Sequence, residues 1–390
     1  MSLHAPFPAI TQPEALFDDP SGHLHGTGLR AGLPRGPLAT LSDRVARFYA
    51  GEGADGGRLV GAIPFDRLAE DSLFQPETWQ TAAPEAKVQP RVEAALPVGA
   101  CRMAPNPVPS GFCQAVDAGL TRIAAGTLDK IVLSRRLDLM ASQQIDPGTL
   151  LRALRRDPMA MVFSVSLPDR VAQQPRRLVG ATPELLVARR GRQVISHPLA
   201  GSAPRQSNPL ADQMAGARLL RSAKDAYEHR IAAEAVLDSL APFCATLAAP
   251  SGMALHGTAT MWHLGTRIEG QLKDPDTPVT DLLAVLHPTP AVCGQPRAAA
   301  AKAIAEIEGY DRDFYAGAVG WTDATGDGIW HVALRCAEID GNAARLYAGV
   351  GVVDGSRPED ELAETSAKFR TVLNAFGLNE AGQPLTAAAS

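Results

Sequence analysis

Three strand-like runs follow one another near the end of this chain, and the turns between them restrict what it can become. AGAVGWTDA (316–324), GIWHVALRCAEID (328–340) and AARLYAGVGVV (343–353) are joined only by TGDG and DGN. Connections that short, made of Gly, Asp and Asn, reverse a strand on its neighbour. A parallel sheet would need a crossover of a dozen residues or more at each step. RRLVGATPELLVARRGRQVISH (176–197) repeats the theme as a strand, a turn and a hairpin around Arg190–Gly191. Helical stretches are interspersed. The reading is an α+β layout of large antiparallel sheets with helices packed outside, not a doubly wound parallel sheet.

Helical periodicity places the other elements. Ser110 caps an amphipathic helix, 130–140 is a strand, 146–158 a short helix and 160–167 a strand. A long helix covers about 210–240 with a break near Arg221–Ser222, and 258–272 reads as one strand. Helices at 277–288 and 296–309 flank the loop TPAVCGQ, and Ser356 caps a last helix to Phe376. The first 57 residues show little beyond a short helix near Leu41–Tyr49, and 57–65 reads as a strand. Seven prolines between Pro76 and Pro109 mark a crossing connection. The chain therefore divides into 1–109, a denser core at 110–378, and a polar tail at 379–390 expected to be disordered.

Several functional classes lack support. No glycine-rich dinucleotide or P-loop motif and no nucleophile elbow occurs. The five cysteines are scattered, with no CxxC pair, so neither a disulfide framework nor a zinc site is expected. A net charge of −5 gives no general pull toward nucleic acid or membrane, and no apolar run approaches a membrane span. With no signal peptide visible, a cytoplasmic protein is expected. No coiled-coil pattern appears, so a monomer is expected.

The last helix carries an unusual face. Glu361, Glu364 and Lys368 fall at i, i+3 and i+7, and the middle helix repeats the acid pair as Asp225 and Glu228. Either pair alone reads as a solvated face. If the two helices faced each other, four carboxylates would share a pocket and need a cation. An all-oxygen set suits Mg²⁺, which takes one or two carboxylates directly and keeps waters for the others. Lys130 is either the snorkelling end of an edge strand or a general base. Glu184, in GATPELL, is either a turn carboxylate or a general acid kept protonated by an apolar site. Arg335 interrupts an apolar strand, which calls for an anionic partner. His263 is a satisfied core histidine or a catalytic one. Three glycine-containing loops, 198–205, 288–294 and 348–351, would let a ligand approach the backbone.

These stretches together resemble the chorismate-utilising enzymes: isochorismate and salicylate synthases and the large subunits of anthranilate and aminodeoxychorismate synthases. The runs that carry the resemblance are KIVLSR, VGATPELL, HPLAGSAPR, SAKDAYEH, HLGTRIEG, LHPTPAVCG, FYAGAVGW, ALRCAEI, LYAGVGVV and EDELAETSAKFRTVLNAFG. The resemblance implies an anthranilate synthase component I-like fold: two large antiparallel sheets flanked by helices, with the site between them. It implies chorismate as substrate and Mg²⁺ as cofactor. Lys130 matches the residue that deprotonates water for attack at ring C2, and Glu184 the acid that protonates the departing C4 hydroxyl. Glu228 and Glu364 match direct metal ligands, Asp225 and Glu361 acids that act through water. Tyr315, Arg335 and Lys368 match contacts to substrate carboxylates, and Ser202, Ala291, Gly349 and Gly351 match pocket-lining loop positions. His263 is taken with the substrate-binding set. Ser202 and Ala291 stand where salicylate synthases more often carry threonine. The similarity is thus greatest to siderophore-linked isochorismate synthases, with salicylate synthase or a non-catalytic chorismate-fold binding protein as alternatives.

Overall fold

The structure is a computed structural model, and it describes residues 13–19, 22–51, 53, 56–82, 101–155, 157, 159–170 and 175–385. Every strand pairing in it is antiparallel. The first sheet has ten strands, the second nine. In the first, Lys130–Ala141 lies between Gly294–Gln295 and Ala343–Val352, followed by Cys336–Asp340, Arg176–Thr182 and Met161–Leu167. In the second, Leu185–Arg190, Gly328–Val332 and Ala318–Thr322 are central. The TGDG and DGN reversals therefore do different work. The first joins neighbours within the second sheet, the second joins neighbours within the first, and Val332 to Cys336 carries the chain across.

The inner faces of both sheets supply one apolar cluster: Phe163, Val165 and Leu178 from the first meet Leu186, Val187 and Trp330 from the second. A separate cluster seals the outer face of the first sheet. There Leu137, Leu139, Val179 and Leu346 pack against Leu150 and Leu154 of the helix Pro147–Leu154, and against Phe369, Leu373 and Phe376 of the helix Pro358–Phe376. In that last helix Phe369, Leu373 and Phe376, at helical spacing, form one buried stripe, while Leu362 is only partly covered.

A third sheet of three strands was not foreseen. The 258–272 stretch is two strands, Met261–Thr266 and Ile268–Leu272, broken at Arg267 and paired in different sheets. Met261–Thr266 pairs with Leu199–Pro204 and with Met253–Gly257. Leu199–Pro204 belongs to the segment read as a glycine loop, and 348–351 likewise lies within the strand Ala343–Val352. The long middle helix does break where expected: Pro209–Arg221 and Ala223–Leu240 meet at Ser222, whose hydroxyl accepts from the Asp225 amide at 3.2 Å.

Two caps differ. Neither Ser110 nor Ser356 caps its helix; those helices begin at Pro109 and Pro358 after Val108 and Arg357. Proline at the first helical position has no amide hydrogen to satisfy, which displaces the start. The tail differs in part: residues 379–385 fold back, with Leu378 bridging Pro384, and 386–390 lie outside the described residues. Residues 1–109 contribute strands to both large sheets, including Glu14–Asp19 in the first and Leu59–Ile63 in the second. Of the proline-rich connection, 83–100 lie outside the described residues. No described helix is long and apolar enough to cross a membrane.

Candidate active site

The strand Leu199–Pro204 packs against both acid-bearing helices, Ala223–Leu240 and Pro358–Phe376. This brings the two acid faces to one cavity. Glu184, Ser202, Glu228, His263, Ala291, Tyr315, Arg335, Gly349, Gly351 and Lys368 line it. The other four positions singled out from the sequence stand behind that wall. Lys130 Nζ lies 3.0 Å from Glu228 Oε1, and Glu364 accepts from Ser202 Oγ at 2.7 Å and pairs with Lys368 Nζ at 2.7 Å. Glu361 pairs with Lys224, and Asp225 packs against Gly201.

Lys130 is no edge residue. Its strand is flanked on both sides and its side chain is fully buried. Its contact with Glu228 lacks hydrogen-bond geometry, so no hydrogen bond commits Nζ to a partner. Gly351 makes this pairing possible. A Cβ there would stand 1.9 Å from Glu228 Oε1 and 2.8 Å from Lys130 Cε. Gly349 serves twice: a Cβ would meet the Tyr315 hydroxyl at 2.9 Å, and its carbonyl accepts from Lys368 at 2.9 Å.

Glu184 is enclosed, and burial pushes its carboxyl up to about 8 against the pull of Lys130, a Leu199 amide, Lys368 and Arg335. It is therefore a neutral acid at pH 7. Arg335 is also buried, in a left-handed backbone conformation with φ 48°. Among the described residues no carboxylate lies within ion-pair distance of it, and its guanidinium approaches His263 Nε2 at 3.5 Å. Burial and the adjacent Arg335 keep His263 well below its usual range, hence uncharged. A buried guanidinium beside a neutral imidazole is a receptor for an anion brought by a ligand.

The acids show the strain of sharing a site. Burial and the charge of Glu364 raise Glu361 to about 7, opposed by Lys224. Burial, Glu228 and Glu364 raise Asp225, opposed by Ser222. Glu364 is also buried, but Lys368 and Ser202 hold it below the usual carboxylate range. No three described acid, histidine or cysteine side chains converge as a ready metal cage. Mg²⁺ needs only one or two protein carboxylates. Glu228 on the cavity wall, with Glu364 directly behind the lining residues Ser202 and Lys368, fits that requirement, and Asp225 and Glu361 could hold its waters.

Sequence reasoning missed Lys224, although it immediately precedes Asp225 in SAKDAYEH. It also missed Tyr347, which lines the cavity and stacks on Tyr315 with centroids 4.8 Å apart. Strand alternation from Gly349 and Gly351 would have found it. Behind the cavity, Arg312 donates to the carbonyls of Val132 and Val292 at 2.7 and 2.8 Å, and to Glu308, which also accepts from the Ser134 amide. Val132 and Val292 both face the cavity, so this buried ion pair fixes two of its walls.

The fold and the acid-lined cavity between sheets define a chorismate-binding class of protein, and the chain belongs to the chorismate binding enzyme family, whose profile matches residues 69–377. Among curated proteins it is 46% identical over 352 residues to isochorismate synthase DhbC of Bacillus subtilis, covering 88% of this chain and 87% of that one. The crystal structure of DhbC from Bacillus anthracis superposes with a TM-score of 0.89 at 42% identity, covering 94% of this chain and 97% of that one. Anthranilate synthase component I of Streptococcus pneumoniae shares the fold: TM-score 0.70 at 20% identity, covering 95% and 94%.

Proposed function

We propose that this chain is an isochorismate synthase, an isomerase that converts chorismate to isochorismate. The observation that carries this reading is Glu184, a fully enclosed carboxyl that burial pushes toward its protonated form, on the wall of a cavity that also presents the buried Arg335. Arg335, with Tyr315 and Lys368, binds and orients the substrate's carboxylates. Lys130, as the free amine, takes a proton from a water whose oxygen bonds to ring C2, and so becomes the ammonium. The ring double bonds shift, the C4–O bond breaks, and Glu184 gives its proton to the leaving hydroxyl, which departs as water. One water enters and one leaves, so the product is an isomer of the substrate. Neutral His263 can hydrogen-bond without adding charge, and Ser202, Ala291, Gly349 and Gly351 shape the wall.

Glu228 and Glu364 would hold Mg²⁺ directly, with Asp225 and Glu361 on its waters. Bound there, the metal would neutralise the substrate's ring carboxylate. The product is read as feeding siderophore biosynthesis through 2,3-dihydroxybenzoate or salicylate, in a monomeric cytoplasmic enzyme. Incubating pure protein with chorismate and Mg²⁺ should give isochorismate without pyruvate, and EDTA should abolish turnover. Stoichiometric salicylate and pyruvate would make it a salicylate synthase. An amino product that requires ammonium would overturn both readings, and no conversion would leave a binding protein.

A further inference from the structure

Three lysines converge on the four acids of the cavity. Lys130 pairs with Glu228, Lys368 with Glu364 and Lys224 with Glu361. Two of these lysines are the ones the reaction needs elsewhere, Lys130 at the water and Lys368 at a substrate carboxylate. Their partners are the two carboxylates proposed as direct metal ligands. A divalent ion about 2.0–2.1 Å from either carboxylate would share its negative charge with an ammonium already in contact at 2.7–3.0 Å, and the two cations repel.

We propose that Lys130 and Lys368 compete with the divalent cation for Glu228 and Glu364, so that loading the metal is the event that releases both lysines toward the substrate. The proposal rests on the metal reading given above. It accounts for a feature that reading leaves unexplained: Lys130 stands behind the cavity wall, in contact with Glu228, instead of among the lining residues. The missing hydrogen-bond geometry at Lys130 Nζ fits a contact built to be exchanged. Lys224 differs from the other two. Its partner Glu361 is assigned to the metal's waters, so it repels the metal through space without holding a ligand oxygen.

The test is Mn²⁺ binding alone, measured by calorimetry on the full chain after EDTA treatment and desalting. Lys368→Met and Lys130→Met should each bind Mn²⁺ about tenfold more tightly than wild type, the scale of one charged contact no longer broken. Lys224→Met, which changes the field without freeing a ligand, should tighten binding by less than about threefold, on the scale of a through-space pair near the surface. Lys368 is partly exposed, so its variant carries the test if Lys130→Met fails to fold. Unchanged or weaker binding in the folded Lys130 and Lys368 variants would overturn the competition. So would equal tightening in all three, which a general field effect produces. A wild-type chain that binds no Mn²⁺ would instead remove the metal reading itself.

Discussion

Gly351→Ala is the smallest change that tests how the base and the metal acid are packed together. The new Cβ would lie 1.9 Å from Glu228 Oε1, 2.6 Å from its Cδ and 2.8 Å from Lys130 Cε. An ordinary C···O contact is about 3.3 Å, so the carboxylate must retreat by roughly 1.4 Å or the strand must give way. Misplacement of a catalytic group by ~1 Å costs about 100-fold in rate, or ~2.7 kcal/mol in the barrier. Overpacking adds about 1–3 kcal/mol of destabilisation. Gly349→Ala is the matched control: its Cβ would meet the Tyr315 hydroxyl at 2.9 Å, needing only about 0.4 Å of relief to a normal contact. With saturating chorismate and Mg²⁺, kcat from chromatographed isochorismate should fall about 100-fold in Gly351→Ala and far less in Gly349→Ala. Thermal denaturation would confirm that both fold. If Gly351→Ala keeps kcat within about threefold of wild type, or loses no more than Gly349→Ala, the close approach of Lys130 and Glu228 to Gly351 is not what positions the base and the metal acid.

Glu184 sets a pH limit, because the form that acts as acid is the protonated one. Activity should decline as pH rises through about 8, and Glu184→Gln should lose about 100-fold or more together with that limb. The same shift links to stability. The folded value of about 8 exceeds the unfolded value, so Glu184's contribution is full below the unfolded value and is lost as pH climbs through 8. Urea midpoints of wild type should therefore fall relative to Glu184→Gln between pH 5 and 8; parallel midpoints would contradict the burial assigned to this carboxyl. Arg312→Met strands the buried Glu308 carboxylate and should cost about 3–5 kcal/mol in urea unfolding, with part recovered by adding Glu308→Leu. A single variant near wild-type stability would show that the pair does not fix the cavity walls.

The parts of the site legible in the sequence were those with a local signature. The acid pairs at i, i+3 announced themselves on two helices, and hairpin turns fixed the antiparallel character of the sheets. Arg335 stood out because a guanidinium has no place in an apolar strand without an anion. What escaped was set by distant segments. Leu199–Pro204 carries glycine and proline and reads as a loop, yet pairing with Met261–Thr266 makes it a strand. The step at Arg267 is invisible in an apolar run, because only the partner sheets change there. Lys224 is one of many helix lysines until Glu361, 137 residues away, supplies its partner. The strands before residue 82 lack strong alternation, and their neighbours in the sheets come from much later in the chain: Ala15 pairs with Val165, and Leu59 with Thr322.

The last helix has a consequence for synthesis. Glu361, Glu364 and Lys368 are made after every other residue of the cavity, and the same helix covers the outer apolar face of the first sheet. Until the ribosome has passed Phe376, Lys130 and Glu228 exist without their opposing wall, and Leu137, Leu139 and Leu346 have only the helix Pro147–Leu154 over them. A nascent chain at that stage holds a half-built receptor and a half-covered hydrophobic sheet. Products that stop short of Pro358 should therefore be both inert and prone to aggregate.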